Sequence, residues 1–454
     1  MLSVASAGLF ALCVTAAGVT AGRHITTETL NGHVRGLIEN VGGVNVATYL
    51  GIPYAEPPVG ELRFRKPLPA KPVASDDLGR PELRKPLRPS QRPKPLGVLV
   101  WIHGGGYRTG TASQVLYDGK ALSAVGDIVV VSINYRLGSL GFLYTGPGSS
   151  SGNYALWDQH LCLLWVRDNI ARFGGDPGRV TVYGESAGSI GIGAQLVSPR
   201  NAGLIHRAIM ASGSNYWLVP PQNAVGHEYA DRIARHVGCL DESKPSSKTH
   251  PEQVIECLRS APVHKIIDAE DTQFHKEIVT FTPSHGDDYL PLPEVDAISR
   301  GLFIPLESIL AGATTEEGGV FLYFRVPSFI NSTSAPKLTK PEVVDLLTNQ
   351  YFGYLPGETR SFLIDEYMRR VSGLSDYSGN LKRVNGHSGR LPRLLSDQVL
   401  RGGVRQDEPS RVLLFVRLSL RAWLLALLDG FHSLCGPSVH VRNAVPIPRA
   451  LLER

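Results

Sequence analysis

No block of Lys and Arg interleaved with aromatic residues occurs in the 454-residue sequence, which argues against nucleic-acid binding. Charged residues are sparse at 19%, against 43% hydrophobic, and the net charge is only +5. General disorder is therefore excluded and a large buried core is possible. Between Arg401 and Arg454 eight Arg face four Asp or Glu, so most of the positive excess belongs to the tail. No internal repeat is present. The apolar stretch Val412 to Leu428 is interrupted by Arg417 and Arg421 and does not make a membrane span. Cysteine is scarce, with five in the chain.

What is present starts with an apolar, uncharged N-terminus rich in small residues, residues 1–22. It fits a signal peptide cleaved near Ala21 or Gly22, although no basic residue precedes it. An N-terminal membrane anchor or a buried strand are the other readings. Cleavage would remove Cys13 and leave one domain over residues 23–454. Cys239 and Cys257 bracket a short polar loop, which suits a disulfide in an oxidising compartment, two unpaired thiols being the alternative. Such a bridge contributes on the order of 3 kcal/mol. Cys162 lies among Leu161, Leu163, Leu164 and Trp165 and reads as a small buried hydrophobe. Asn331, before Ser332 and Thr333, is the chain's N-glycosylation sequon and agrees with secretion.

Three short apolar runs organise the middle of the chain: Val98–Ile102, Ile128–Ile133 and Val180–Tyr183. Parallel strands covered on both faces read as continuous apolar runs. Between the second and third, Trp157 to Phe173 has helical apolar spacing and ends at Gly174, Gly175, Asp176 and Pro177. Strand and helix alternate, which predicts an α/β fold with a mostly parallel central sheet flanked by helices. Residues 220–300 read as more irregular and Pro-rich, as a cap over a sheet edge.

Residues 184–188 read Gly-Glu-Ser-Ala-Gly and match G-x-S-x-G, directly after the third run and before a predicted helix over Ser189–Leu196. A serine hydroxyl is a weak nucleophile. On a sharp strand-to-helix turn Ser186 would stand clear of the backbone, and the flanking glycines permit the tight approach. The helix N-terminus adds positive potential where an oxyanion develops. His103 is followed by Gly104, Gly105 and Gly106. Backbone N–H groups of Gly105, Gly106 and Ala187 would form an oxyanion hole. A plain glycine-rich turn is the alternative. A phosphate loop fits poorly, since no Lys-Ser/Thr pair follows.

Together with residues 51–64, 134–138, 152–159, 169–177 and 211–214, these motifs resemble the carboxylesterase type B and cholinesterase family of the α/β-hydrolase fold. The resemblance covers roughly residues 25–70 and 97–325. It implies a serine esterase acting on a small carboxylic ester with no metal or organic cofactor. It also implies that Glu317, in the Glu316-Glu317-Gly318 segment, is the acid that orients a histidine; an exposed loop carboxylate is the alternative. Cys239 and Cys257 match a disulfide of the family. Trp217 resembles an acyl-pocket residue, with core packing as the other reading.

The chain departs from the family twice. Only Arg65 to Gly97 separate the N-terminal signature from the Val98 run, where the family carries a cysteine-bridged loop and a C-L-Y-L-N strand. In cholinesterases that region supplies an aromatic wall for choline, and the acyl-pocket segment here reads Glu277 to Phe281, so an acetylcholine-specific reading lacks support. After about residue 400 the family's aromatic strands, W-M-G-x-x-H and P-F-x-F-G-x-P-F are all missing. Codons able to encode this tail can spell two of those motifs, in family order, when read one base forward. The tail as written is therefore expected to leave the last sheet strands unmade. His432 and His387 are weak candidates for the missing base. The sequence thus predicts a secreted carboxylic-ester hydrolase with Ser186 as nucleophile, or an impaired or non-catalytic binding protein on the same fold.

Overall fold

The computed structural model describes residues 23–72, 94–214, 222–241, 247–274, 279–314, 339–351, 357–370 and 413–418. The signal segment, Trp217, Glu317, Asn331, His387 and His432 lie outside these residues. The described chain opens with an antiparallel meander of β1 (Arg23–Thr29), β2 (Gly32–Val41) and β3 (Val44–Thr48). Gly42 and Gly43 join β2 to β3 with φ of 57° and 88°, the double left-handed turn that a two-residue hairpin demands.

The main sheet contains β4 (Leu96–Ile102) and β5 (Ile128–Ile133). A small hairpin of β6 (Tyr144–Gly146) and β7 (Ser150–Ser151) follows. The sheet is completed by β8 (Gly175–Glu185), β9 (Arg207–Ala211), β10 (Ser308–Thr314) and β11 (Leu413–Leu418). Its order is β11-β10-β9-β8-β4-β5, and every pairing is parallel. Flanking helices include α1 (Lys120–Gly126), α2 (Gly138–Phe142), α3 (Tyr154–Asn169) and α4 (Ala187–Val197). This is the predicted α/β-hydrolase arrangement. β4 lies inside the sheet, and its Val98 to Ile102 are all buried, as a strand covered on both faces must be. β5 departs from that expectation. Among the described residues it is an edge strand, and its four leading residues are only half-buried.

Local chemistry fixes the transitions. α3 starts three residues before the predicted Trp157 and passes into a 3-10 turn over Ile170–Phe173. Gly174 closes it with φ 85°, a left-handed cap that glycine adopts without strain. β8 then begins at once, five residues before the predicted Val180. Its register with β4 shifts between Leu96 and Val98, and this irregularity takes up Pro177, which has no N–H to give a ladder. α3 is buried on nearly every side and carries Asp158 and Gln159 inward. Arg136, just past β5, meets Asp158 in a two-pronged ion pair at 2.8 Å for both contacts, with side chains 9% and 6% exposed. Removing one partner of such a pair costs about 3–5 kcal/mol. Two of the sequence motifs thus meet in space to lock β5 onto α3.

The structure corrects two expectations. Residues 220–300 are largely helical: α5 (Gln222–Val237), α6 (Pro251–Ser260), α7 (Val263–Phe274) and α8 (Glu294–Ser299). Prolines sit at helix starts or between helices here, where they cost little. The outer edge of β10 is also not bare, because Leu413–Leu418 of the tail pairs with Ile309–Thr314 in parallel. A ladder needs backbone groups and an apolar, β-compatible run, and this segment offers both. Cys239 and Cys257 form the expected disulfide, with Cα atoms 5.6 Å apart, joining the chain after α5 to α6. Cys162 is free and buried, and burial pushes its thiol up to about 12. Among the described residues no helix is long and apolar enough to cross a membrane.

Candidate active site

Because the strands are parallel, the segments after β4, β8 and β9 all emerge at one edge of the sheet. In open α/β sheets that carboxyl-end edge is where ligands bind. Ile102 stands opposite Gly184, and Glu185 opposite Ala211. Gly104, Ser186 and Ser212 are therefore brought side by side from three separate stretches of chain.

Ser186 forms the elbow. It has φ 54° and ψ −124°, a conformation that side chains disfavour. Two hydrogen bonds hold it there. The Ser186 N–H donates to the Ala211 carbonyl, and the Ile190 N–H donates to the Ser186 carbonyl, each at 3.0 Å. Ser186 remains half-buried while the whole of α4 behind it is buried. The glycines of the motif permit crowding. A Cβ on Gly188 would lie 2.1 Å from the Ile102 carbonyl oxygen, and one on Gly184 would lie 2.5 Å from the Gly188 carbonyl carbon. α4 can thus press its first turn onto the end of β4. The N–H of Ala187 opens that helix and has no carbonyl within it to bond.

The glycine turn comes just as close. A Cβ on Gly104 would sit 2.6 Å from the Glu185 carbonyl oxygen and 3.0 Å from the Ser186 Cβ. The carbonyl of Gly104 receives the His103 ring at Nδ1, 2.9 Å away. The carbonyl of Gly105 receives the N–H groups of Arg108 and Thr109 at 3.1 and 3.0 Å. In a trans peptide the N–H points opposite the carbonyl. With both carbonyls engaged in these bonds, the N–H groups of Gly105 and Gly106 point the opposite way, away from those partners. Gly105 is exposed and Gly106 half-buried, and their φ of 108° and 64° suits them for this turn as other residues are not.

His103 itself is 1% exposed and stacks on Tyr135, with ring centroids 4.6 Å apart. The Tyr135 hydroxyl donates to the His103 carbonyl at 2.6 Å. Burial pushes the imidazole below its usual pKa, opposed by the Gly104 bond. His103 is thereby tied up as a support of the turn. The sequence pattern placed it in the glycine motif but gave no sign of that role, because Tyr135 lies 32 residues away. Ser189, one turn into α4, donates its hydroxyl to the Gly213 carbonyl at 2.7 Å.

Of the predicted site residues, Ser186, Ala187, Gly105 and Gly106 come together at this edge. β10, the strand that precedes Glu317, neighbours β9, and the Ser212 N–H donates to the Gly312 carbonyl at 2.8 Å. Phe281, in the segment compared with an aromatic acyl pocket, is 3% exposed. It packs edge-on against Tyr229 and Phe274, which places it in the core.

Comparison with known proteins agrees with this architecture. The sequence profile of the Carboxylesterase family matches residues 21–76 and 83–403. A cholinesterase of Mus musculus is 36% identical over 375 aligned residues, covering 74% of this chain and 59% of that protein. An acetylcholinesterase of Leptinotarsa decemlineata is 32% identical, covering 71% and 59%, and acetylcholinesterase-1 of Trittame loki is 33% identical, covering 72% and 64%. The chain spans about three-fifths of the length of these curated relatives. With a profile match over most of its residues and a sheet built as the motifs required, the chain belongs to the Carboxylesterase family.

Proposed function

We propose that this chain is a carboxylic-ester hydrolase working through a serine acyl-enzyme, with Ser186 as nucleophile. The observation that carries the proposal is the strained Ser186 elbow packed against the Gly104 turn, whose following N–H groups are not the ones its carbonyl bonds use. Ser186 Oγ attacks the ester carbonyl carbon, and its proton passes to a base. The carbonyl oxygen takes up negative charge between the N–H groups of Gly105, Gly106 and Ala187. The tetrahedral intermediate collapses, and the alcohol leaves with the proton returned by the base. Water then attacks the acyl-enzyme by the same route and releases the acid. Glu317 is the proposed partner of the base. The domain spans residues 23–454 after a signal peptide, and the protein is secreted, with Asn331 glycosylated. The disulfide supports an oxidising compartment.

The base is unassigned, since the tail lacks W-M-G-x-x-H and His103 is committed to Gly104. This same observation favours a second reading, a binding protein of impaired catalysis on an esterase scaffold. The substrate is proposed as a small carboxylic ester. Burial of Phe281 argues against an aromatic acyl pocket of the acetylcholine-specific kind.

A fluorophosphonate probe tests the nucleophile. It is expected to label Ser186 and to leave Ser186→Ala unlabelled. Equal labelling of that variant, or none on folded wild-type protein, defeats the assignment. Turnover of a short-chain aryl ester is then compared between the chain as written and a form with the tail frame restored. Little turnover is expected from the former. Equal rates would mean that a histidine of the present tail, most directly His432, carries the proton.

A further inference from the structure

We propose that Glu270 is a positioning residue for the glycine turn: from α7 it clamps the backbone at Gly138 and Ser139, which holds the Tyr107 carbonyl beside Gly106. The inference rests on the oxyanion role assigned above to Gly105 and Gly106. The Glu270 side chain is buried. Its Oε1 accepts the Ser139 backbone N–H at 2.9 Å and the Ser139 hydroxyl as well. The preceding Gly138 has φ 55°, and a Cβ there would stand 2.2 Å from Glu270 Oε2. The carboxylate therefore reaches this backbone only because a glycine is present. The Gly138 N–H donates to the Tyr107 carbonyl at 2.7 Å.

Tyr107 is the residue after Gly106. It has φ 59° and is 1% exposed, with its ring 4.8 Å from that of Phe142 at the end of α2. Holding the Tyr107 carbonyl fixes the peptide between Tyr107 and Arg108 and, with the Tyr107 ring buried as well, anchors the residue next to Gly106, which limits the movement by which the Gly106 N–H would swing away. A second strut runs in parallel. Arg108 donates to Asp271 Oδ1 at 2.9 Å and to the Phe274 carbonyl at 3.1 Å. Two consecutive residues of the turn are thus tied to α7, although α7 lies more than 150 positions further along the chain.

A carboxylate that ties down a loop acts on transition-state geometry more than on substrate affinity. In the full chain, Glu270→Ala is expected to speed amide exchange across residues 103–110 by about tenfold or more, with exchange in β8 and α4 unchanged. The rate of fluorophosphonate labelling, which uses the same N–H groups without needing turnover, is expected to fall about tenfold. Where an ester is turned over, kcat should fall and KM stay. Glu270→Gln keeps an acceptor oxygen and should remain within about threefold of wild type. Unchanged exchange in residues 103–110, or acceleration spread equally over β8 and α4, overturns the proposal. Local acceleration with an unchanged labelling rate leaves the clamp standing and removes Gly105 and Gly106 from the oxyanion hole. If Glu270→Ala does not fold, Ser139→Ala removes one of the two bonds, and the same local acceleration of about threefold is expected; its absence counts equally against the clamp.

Discussion

The strained elbow makes a prediction that separates catalysis from stability at one atom. Ser186 carries φ 54° and ψ −124°, pinned by its bonds to Ala211 and Ile190. A side chain held in such a region costs about 1–3 kcal/mol. Ser186→Gly relieves that strain but loosens the unfolded chain, which offsets about 0.5–1 kcal/mol. A net gain of up to about 2.5 kcal/mol, centred on about 1, is expected from these two terms. Ser186→Ala removes the same hydroxyl but keeps the Cβ, so the strain stays and stability should remain within about 0.5 kcal/mol of the parent. Both variants lose fluorophosphonate labelling. Only Gly should raise the urea midpoint at constant slope, because the surface exposed on unfolding does not change. The Ala variant is the control for the lost hydroxyl. If Gly and Ala unfold at the same midpoint, the backbone at Ser186 stores no strain, and the account of the elbow is wrong.

Two further expectations concern the supports of the site. Gly188→Ala would place a Cβ 2.1 Å from the Ile102 carbonyl oxygen and 2.8 Å from that of His103; neither backbone atom can step aside alone, so a loss of about 3 kcal/mol in urea unfolding is expected, together with slower probe labelling. Loss of less than about 1 kcal/mol would mean that α4 does not press on β4 as described. His103, His160, His227 and His285 all have pKa values lowered from 6.5, each mainly by burial. Through these groups the folded state binds fewer protons than the unfolded one below about pH 6.5, so their contribution to stability is full above that value and falls as the pH drops towards their folded pKa values. Glu270 and Glu294 are raised by burial and act in the opposite sense, so the check is differential: His160→Gln should flatten the change in thermal midpoint between pH 7 and 5 relative to wild type, and an unaltered pH dependence would contradict the reading.

Much of the scaffold was legible because its signals are local. Val98–Ile102 had to be an interior strand, since nothing in it tolerates water. The glycines around Ser186 announced a turn where a side chain would collide. Three things were not legible. Residues 220–300 read as irregular because their prolines, taken singly, resemble loop punctuation, whereas each stands where a helix begins or between helices. The tail strand Leu413–Leu418 was discounted for lacking family aromatics, yet a parallel ladder asks only for free backbone groups and apolar residues. Glu270 gave no sign at all, since a lone carboxylate in an amphipathic helix usually faces solvent.

The sequence by itself determined which backbone conformations were possible. It put glycine at 104, 105, 106, 138 and 188, set a serine between a strand and a helix, and supplied apolar runs of strand length. Those are properties of each residue and its nearest neighbours, and no other part of the chain is needed to read them. Only the tertiary structure decided that β4 lies between β5 and β8, that His103 spends its Nδ1 on Gly104, and that a carboxylate on α7 reaches Ser139. Each of these joins residues that chain order keeps apart or a hydrogen bond that burial alone selects. Their free energy exists only once water has been excluded from both partners at the same time.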